Sequence, residues 1–213
     1  MNMVGAPKHA EYALRAGCDV VCAQGGEGGG HTGEIASSVL IPSVVDVARR
    51  YTSPLTGQPA MVVAAGGIYD GRGLASSLMQ GAQGVWVGTR FVAAVESGAS
   101  RLHKEAVVSA GFGDTLRTLV VSGRPLRVRL NEYVKGWEER PEEIRELTGR
   151  GIVPLAKDMD DGVDVDIPFL MGQVAAVIQD VKPARQILED MVREAVAMLR
   201  LGQTYIGGKE SKL

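Results

Sequence analysis

The chain has 213 residues, 45% of them hydrophobic and 23% charged, enough to bury one core with a small appendage. A formal net charge of -2 gives no bulk attraction for nucleic acid or an anionic membrane, and no run approaches the ~18 apolar residues of a membrane span. No signal-peptide pattern opens the sequence, so the expectation is a soluble intracellular chain.

Residues 1–4 are short and apolar, the tail of a strand. Residues 7–16 read as a helix, with Pro7 in the first turn, Ala10, Ala13 and Leu14 on one face, and Gly17 as C-cap. Residues 19–23 read as a buried strand. Cys18 and Cys22 stand four positions apart on that run, about 13 Å at ~3.3 Å per residue, too far for a disulfide. The next ten residues, Gln24-Gly25-Gly26-Glu27-Gly28-Gly29-Gly30-His31-Thr32-Gly33, include six glycines. Glycine lets the backbone approach a bound group closely, so this is a ligand-cradling loop, and it presents a single histidine, His31.

Residues 42–50 have helical spacing with arginines in the last turn. After a turn-rich connector, residues 60–65 form a continuous apolar run, the pattern of a strand covered on both faces. Gly66-Gly67 closes that strand, Asp70 caps a helix with Leu74, Leu78 and Ala82 as its apolar stripe, and residues 84–87 are another strand ending in Gly88-Thr89-Arg90. Strand–helix alternation at this spacing predicts a parallel α/β sheet. From about Glu96 no further parallel strand is evident. Residues 158–166 carry five carboxylates without EF-hand spacing, which suits a solvated loop better than a calcium site. Residues 183–199 form an amphipathic helix, and His9 and His103 read as solvated surface residues.

The glycine loop meets the G-x-G-x-x-G pattern and resembles a phosphate-binding P-loop. The first lacks its acidic partner on a following strand, and in the second His31 stands where lysine belongs. Two later motifs define the site better. Gly66-Gly67 and Gly88-Thr89 lie at the C-terminal ends of consecutive strands, where a (β/α)8 barrel binds phosphate.

Taken together, the run Gln24 to Gly33, then Ala64-Ala65-Gly66-Gly67-Ile68, then Gly84-Val85-Trp86-Val87-Gly88-Thr89-Arg90-Phe91 resemble the flavin-dependent nitronate monooxygenase family, FMN-binding TIM barrels. The resemblance continues through Asn131-Glu132-Tyr133, Gly151-Ile152-Val153-Pro154 and Gly172-Gln173. It implies that Gln24 and Gly29 contact the flavin, that Gly66 or Gly67 with Gly88 and Thr89 holds the FMN phosphate, and that His31 is the active-site histidine. The implied reaction is oxidation of an alkyl nitronate by oxygen to a carbonyl compound and nitrite, with no metal. The implied fold is the C-terminal half of a (β/α)8 barrel over residues 1–95, a mostly helical region over 96–201 and a flexible tail over 202–213.

Family members are longer, and residue 1 aligns inside their fifth strand, where Met1, Asn2 and Met3 replace a polar or cationic contact. Either the chain is a fragment, or a second copy or another chain completes the barrel. Two other readings stay open: an enoyl-thioester reductase-like flavoprotein using a nicotinamide cofactor, and a catalytically inactive half barrel serving as an oligomerisation partner. The terminal Ser211-Lys212-Leu213 is the address read by the peroxisomal import receptor, which predicts a peroxisomal protein.

Overall fold

Short valine- and alanine-rich runs make the central strands, β2 (Val20–Gln24) and β4 (Met61–Ala65), with β1 (Asn2–Val4) and β5 (Gly84–Trp86) at the edges. The computed structural model, which describes residues 1–206, joins them into one parallel sheet ordered β1-β2-β4-β5. Crossover helices α1 (Pro7–Arg15), α2 (Ser37–Ala48) and α3 (Gly71–Met79) connect them. This is the strand–helix alternation expected of half a (β/α)8 barrel.

Register explains which side of the sheet is buried. Val4, Ala23 and Ala64 align across the strands, as do Val21 and Val62, and this set packs under α1 and α2 with Leu40, Ile41 and Val44. The alternate residues face the other way. On that side Met3, Met61 and Trp86 are 46%, 41% and 51% exposed. The continuous apolar run of β4 is therefore covered fully on its helix side only, a correction to the expectation of two covered faces.

Helix α2 starts five residues earlier than its spacing predicts and keeps Pro42 inside it. Its start is fixed from elsewhere in the fold. The Glu27 carboxylate accepts hydrogen bonds from the Ser37 N–H at 3.0 and 3.1 Å and from the Ser37 hydroxyl at 2.9 Å. A carboxylate at this position satisfies the free N–H groups of a helix N-terminus. Asp70 caps α3 as predicted, through the Gly73 N–H at 3.0 Å. The buried face of α3 is made of small residues, Gly71, Ala75 and Ser77, because α9 (Ala184–Tyr205) lies against it. A Cβ on Gly71 would fall 2.4 Å from the Met191 carbonyl oxygen, so this close crossing needs glycine.

The short α4 (Thr89–Val92) follows β5, and the region after Glu96 holds α5 (Arg101–Val108), α6 (Glu132–Glu138), α7 (Pro141–Gly149), α8 (Pro154–Asp160), a 3-10 turn over Gln173–Val177, and α9. It also contains an unpredicted antiparallel hairpin, β6 (Thr115–Thr118) and β7 (Leu126–Arg129). A two-residue strand in the glycine loop, β3 (Gly30–His31), pairs with β7, so the loop is stitched to the second sheet, ordered β3-β7-β6.

The supposed acidic loop begins inside α8. Asp158 accepts hydrogen bonds from the Tyr133 hydroxyl and the Trp137 indole N–H, each at 2.9 Å. Burial, with Asp158 as the next contributor, pushes the Tyr133 phenol up to about 12. Cys18 precedes β2 and both cysteines are free; burial pushes the Cys22 thiol up to about 11. No helix among the described residues is long and apolar enough to cross a membrane. Ser211, Lys212 and Leu213 lie outside the described residues.

Candidate active site

The C-terminal ends of β2, β4 and β5 and the glycine loop enclose a cavity of about 410 Å3. Gln24, Gly29, His31, Gly66, Gly67, Gly88 and Thr89 all line it, so the structure brings the sequence-predicted site residues together around one space. Two glycines make the enclosure possible. Gly66 has φ +82°, and a Cβ there would fall 2.7 Å from the Gly25 carbonyl oxygen. A Cβ on Gly29 would fall 2.6 Å from the Met171 carbonyl carbon, because residues 171–172 lie directly on the loop.

At the Gly67 and Gly88 end of this cavity several hydrogen-bond donors are left over. The N–H groups of Gly67, Gly88 and Thr89 find no acceptor among the described residues. Thr89 is 8% exposed, and its hydroxyl oxygen accepts from the Gly172 N–H at 2.9 Å, which leaves its own proton to donate. Beside them a Cβ on Gly88 would meet nothing within 4 Å. No Asp, Glu, Lys or Arg lines the cavity. The next residue, Arg90, is instead committed to Asp180, with a 2.8 Å ion pair and a 2.7 Å bond to its carbonyl. Neutral donors around open space are the chemistry that holds an oxyanion without a cation, so a flavin phosphate fits these residues.

His31 stands between this cavity and an adjoining one of about 330 Å3, which is also lined by Met3, His9, Gln24 and Arg124. Its Nε2 lies 2.8 Å from the Ser122 hydroxyl oxygen in the β6–β7 turn. That hydroxyl has one proton, and it is directed to the Arg124 carbonyl at 3.1 Å. With that hydroxyl donating to the Arg124 carbonyl, an Nε2–H of His31 donates to Ser122; Nδ1 has no partner among the described residues. Gln24 donates from its carboxamide to the Gly29 carbonyl at 3.4 Å, steadying the loop on its own strand.

Sequence reasoning missed Ser122, Trp86, Met171 and Val174, of which the last three line the cavity. A signal for Ser122 was present: Leu116 and Thr118 alternate, as do Leu126 and Val128, around a Ser-Gly-Arg-Pro turn. Trp86 had none beyond its place in the resemblance, and Met171 had none. His103 is a correction. Its Nε2 lies 2.8 Å from the Leu170 carbonyl oxygen and its ring stacks on Phe169 at 4.8 Å, holding the segment that supplies the cavity wall.

Residues 1–194 match the family model for nitronate monooxygenase. Among curated relatives, a (3aS,4S,5R,7aS)-5-hydroxy-7a-methyl-1-oxo-octahydro-1H-indene-4-carboxyl-CoA dehydrogenase of Rhodococcus jostii is 44% identical over 91% of this chain and 63% of its own length. A probable nitronate monooxygenase of Staphylococcus saprophyticus is 40% identical over 68% of this chain and 42% of its own. The solved structure of FabK from Thermotoga maritima superimposes with a TM-score of 0.76 at 34% identity, covering 95% of this chain and 62% of that one. The matches thus span roughly two fifths to two thirds of the length of these proteins.

Proposed function

The chain belongs to the nitronate monooxygenase family, and from that premise we propose that it oxidises alkyl nitronates with molecular oxygen, giving a carbonyl compound and nitrite, with FMN in the cavity described above. The observation that carries the reading is His31 on the cavity wall, with Nε2 2.8 Å from the Ser122 hydroxyl and Nδ1 without a partner among the described residues. When bound, FMN supplies the electron transfer between nitronate and oxygen. The N–H groups of Gly67, Gly88 and Thr89, with the Thr89 hydroxyl, would hold its phosphate. Gln24 and Gly29 would line the space for its ring. His31 Nδ1 takes the proton from the α-carbon of a neutral nitroalkane, and the resulting imidazolium stabilises the nitronate anion beside it. Met3, Trp86 and Met171 keep the reacting carbon among apolar side chains.

The likeness to a carboxyl-CoA dehydrogenase supports a second reading, a flavoprotein that exchanges hydride between a nicotinamide cofactor and an unsaturated thioester. One set of assays separates the two. The chain is saturated with FMN, and oxygen consumption with nitrite release is measured on a preformed alkyl nitronate, against NADH and NADPH oxidation with an enoyl thioester. Nitrite formation without nicotinamide consumption is expected. Nicotinamide oxidation alone moves the assignment to the second reading, and a chain that takes up no FMN refutes both.

A further inference from the structure

The four-stranded parallel sheet lacks a neighbour in three places. Its edge strands β1 and β5 pair on one side only among the described residues, through β2 and β4. The face turned away from α1 and α2 carries Met3, Cys22, Met61, Val63 and Trp86, and no strand residue on that face is charged. Met3, Met61 and Trp86 are exposed there, and a Cβ on Gly84 of β5 would meet nothing within 4 Å. Purely parallel sheets occur with both faces covered, and an open edge is a template for a further strand. In the helix layer, the buried line Ile187, Met191 and Ala195 of α9 has a second apolar line beside it. Leu188, Val192 and Val196, one residue on, are all exposed. The apolar arc of α9 is thus wider than its packing on α3 covers.

An occupant that covers all three places has parallel strand edges at both ends of a sheet, an uncharged face and an apolar helix flank. A second copy of this chain has them. We propose that two copies close one eight-stranded barrel, β5 of each pairing in parallel with β1 of the other about a twofold axis along the barrel. Rotation about that axis keeps every strand parallel and joins both pairs of edges at once, so the assembly is closed and no edge of this sheet remains. Eight strands enclose an interior that side chains just fill, and Met3, Cys22, Met61 and Val63 are the side chains that fill it. No charge on that face has to be stripped of water. The exposed line on α9 lies against α1 of the other copy, the next helix in the ring. Met3 and Trp86 are wall residues of the 410 Å3 cavity and both stand on edge strands, so the cavity borders the junction and is fully walled only in the pair. This pairing rests on the strand edges and not on the reaction assigned to the cavity.

Analytical ultracentrifugation of the whole chain, with its thiols kept reduced and no flavin added, reads the association. A concentration-dependent dimer in the micromolar range is expected. Met61→Lys on the open face and Val192→Glu on α9 each put a charge into the interface, and neither residue lines the cavity. Each raises the dissociation constant about tenfold or more, while the far-ultraviolet circular dichroism stays that of the wild type. Hydrogen exchange locates the contact: amides of β1 and β5 gain protection as the wild-type concentration is raised, and those of α6 and α7 do not. Exchange on the wild type decides the matter even where a variant fails to fold. A monomer up to about 100 μM, a dimer that both folded variants leave at wild-type strength, or one that adds no protection on β1 and β5 overturns the proposal. No flavin or substrate enters these measurements, so their failure is distinct from failure of the proposed reaction.

Discussion

Thr89→Val removes one oxygen and almost no volume, so its effects isolate the hydroxyl. In the folded chain that oxygen receives the buried Gly172 N–H at 2.9 Å. Valine leaves the donor without a partner, at a cost of about 1–3 kcal/mol in stability. In the proposed site the hydroxyl proton also donates to the flavin phosphate, and a hydrogen bond to a charged group contributes about 1.5–3 kcal/mol. FMN affinity therefore falls roughly ten- to hundredfold. Urea unfolding without flavin reads the first effect, and quenching of flavin fluorescence on titration reads the second. Thr89→Ser restores both. A variant that loses stability but binds FMN like the wild type would show that the hydroxyl does not face the phosphate. Unchanged stability would refute the accounting for Gly172.

His31→Asn keeps FMN but lowers turnover of neutral nitroalkanes by ~10²–10⁴-fold, the range for a lost general base. Preformed nitronate is affected less, and equal turnover of both substrates by mutant and wild type removes His31 from the chemistry. Gly88→Asp sets a carboxylate in the open space beside the phosphate donors, where like charges repel. An unchanged flavin titration would place the phosphate elsewhere. The Tyr133 phenol rises from 10.0 to about 12 in the fold, so the unfolded chain ionises first and stability is lost as pH rises through that interval. Tyr133→Phe flattens this alkaline decline in urea midpoints measured from pH ~9 upward, and an undiminished slope assigns the decline to other groups. A fluorescent protein ending in the last twelve residues of the chain is expected in peroxisomal puncta, and diffuse signal insensitive to deletion of Leu213 counts against import.

The parts legible in the sequence were those whose chemistry is local. A glycine pair ending an apolar strand, an aspartate before a helix and a histidine among glycines each state their purpose within a few residues. His31, Gly66 and Thr89 were found that way and Gln24 through the family resemblance, and they meet around one cavity. What escaped was set by partners distant in the chain. Helix α2 begins at Ser37 because Glu27, ten positions earlier, supplies the cap. Its own spacing pointed to Pro42. The hairpin of β6 and β7 was obscured because arginines fill its polar positions at 117, 127 and 129, and its four-residue strands are too short for a strong periodic signal. Missing the hairpin meant missing Ser122, and with it the partner of His31 Nε2.

The glycine loop would be a costly place to bind anything if it were as mobile as its composition suggests. It is instead fastened from several directions: Gly25 N–H to the Ala65 carbonyl, Gly26 N–H to Ile35, Gln173 N–H to the Glu27 carbonyl, and the Arg127 guanidinium to Gly26. Glu27 adds its grip on Ser37. Ordering a free glycine backbone removes about 1–2 kcal/mol of conformational entropy per residue, and here that loss is incurred in folding. Ligand binding then draws on a preorganised surface. The amide protons of Gly25 and Gly26 should exchange slowly with solvent before any cofactor arrives, and no more slowly after it.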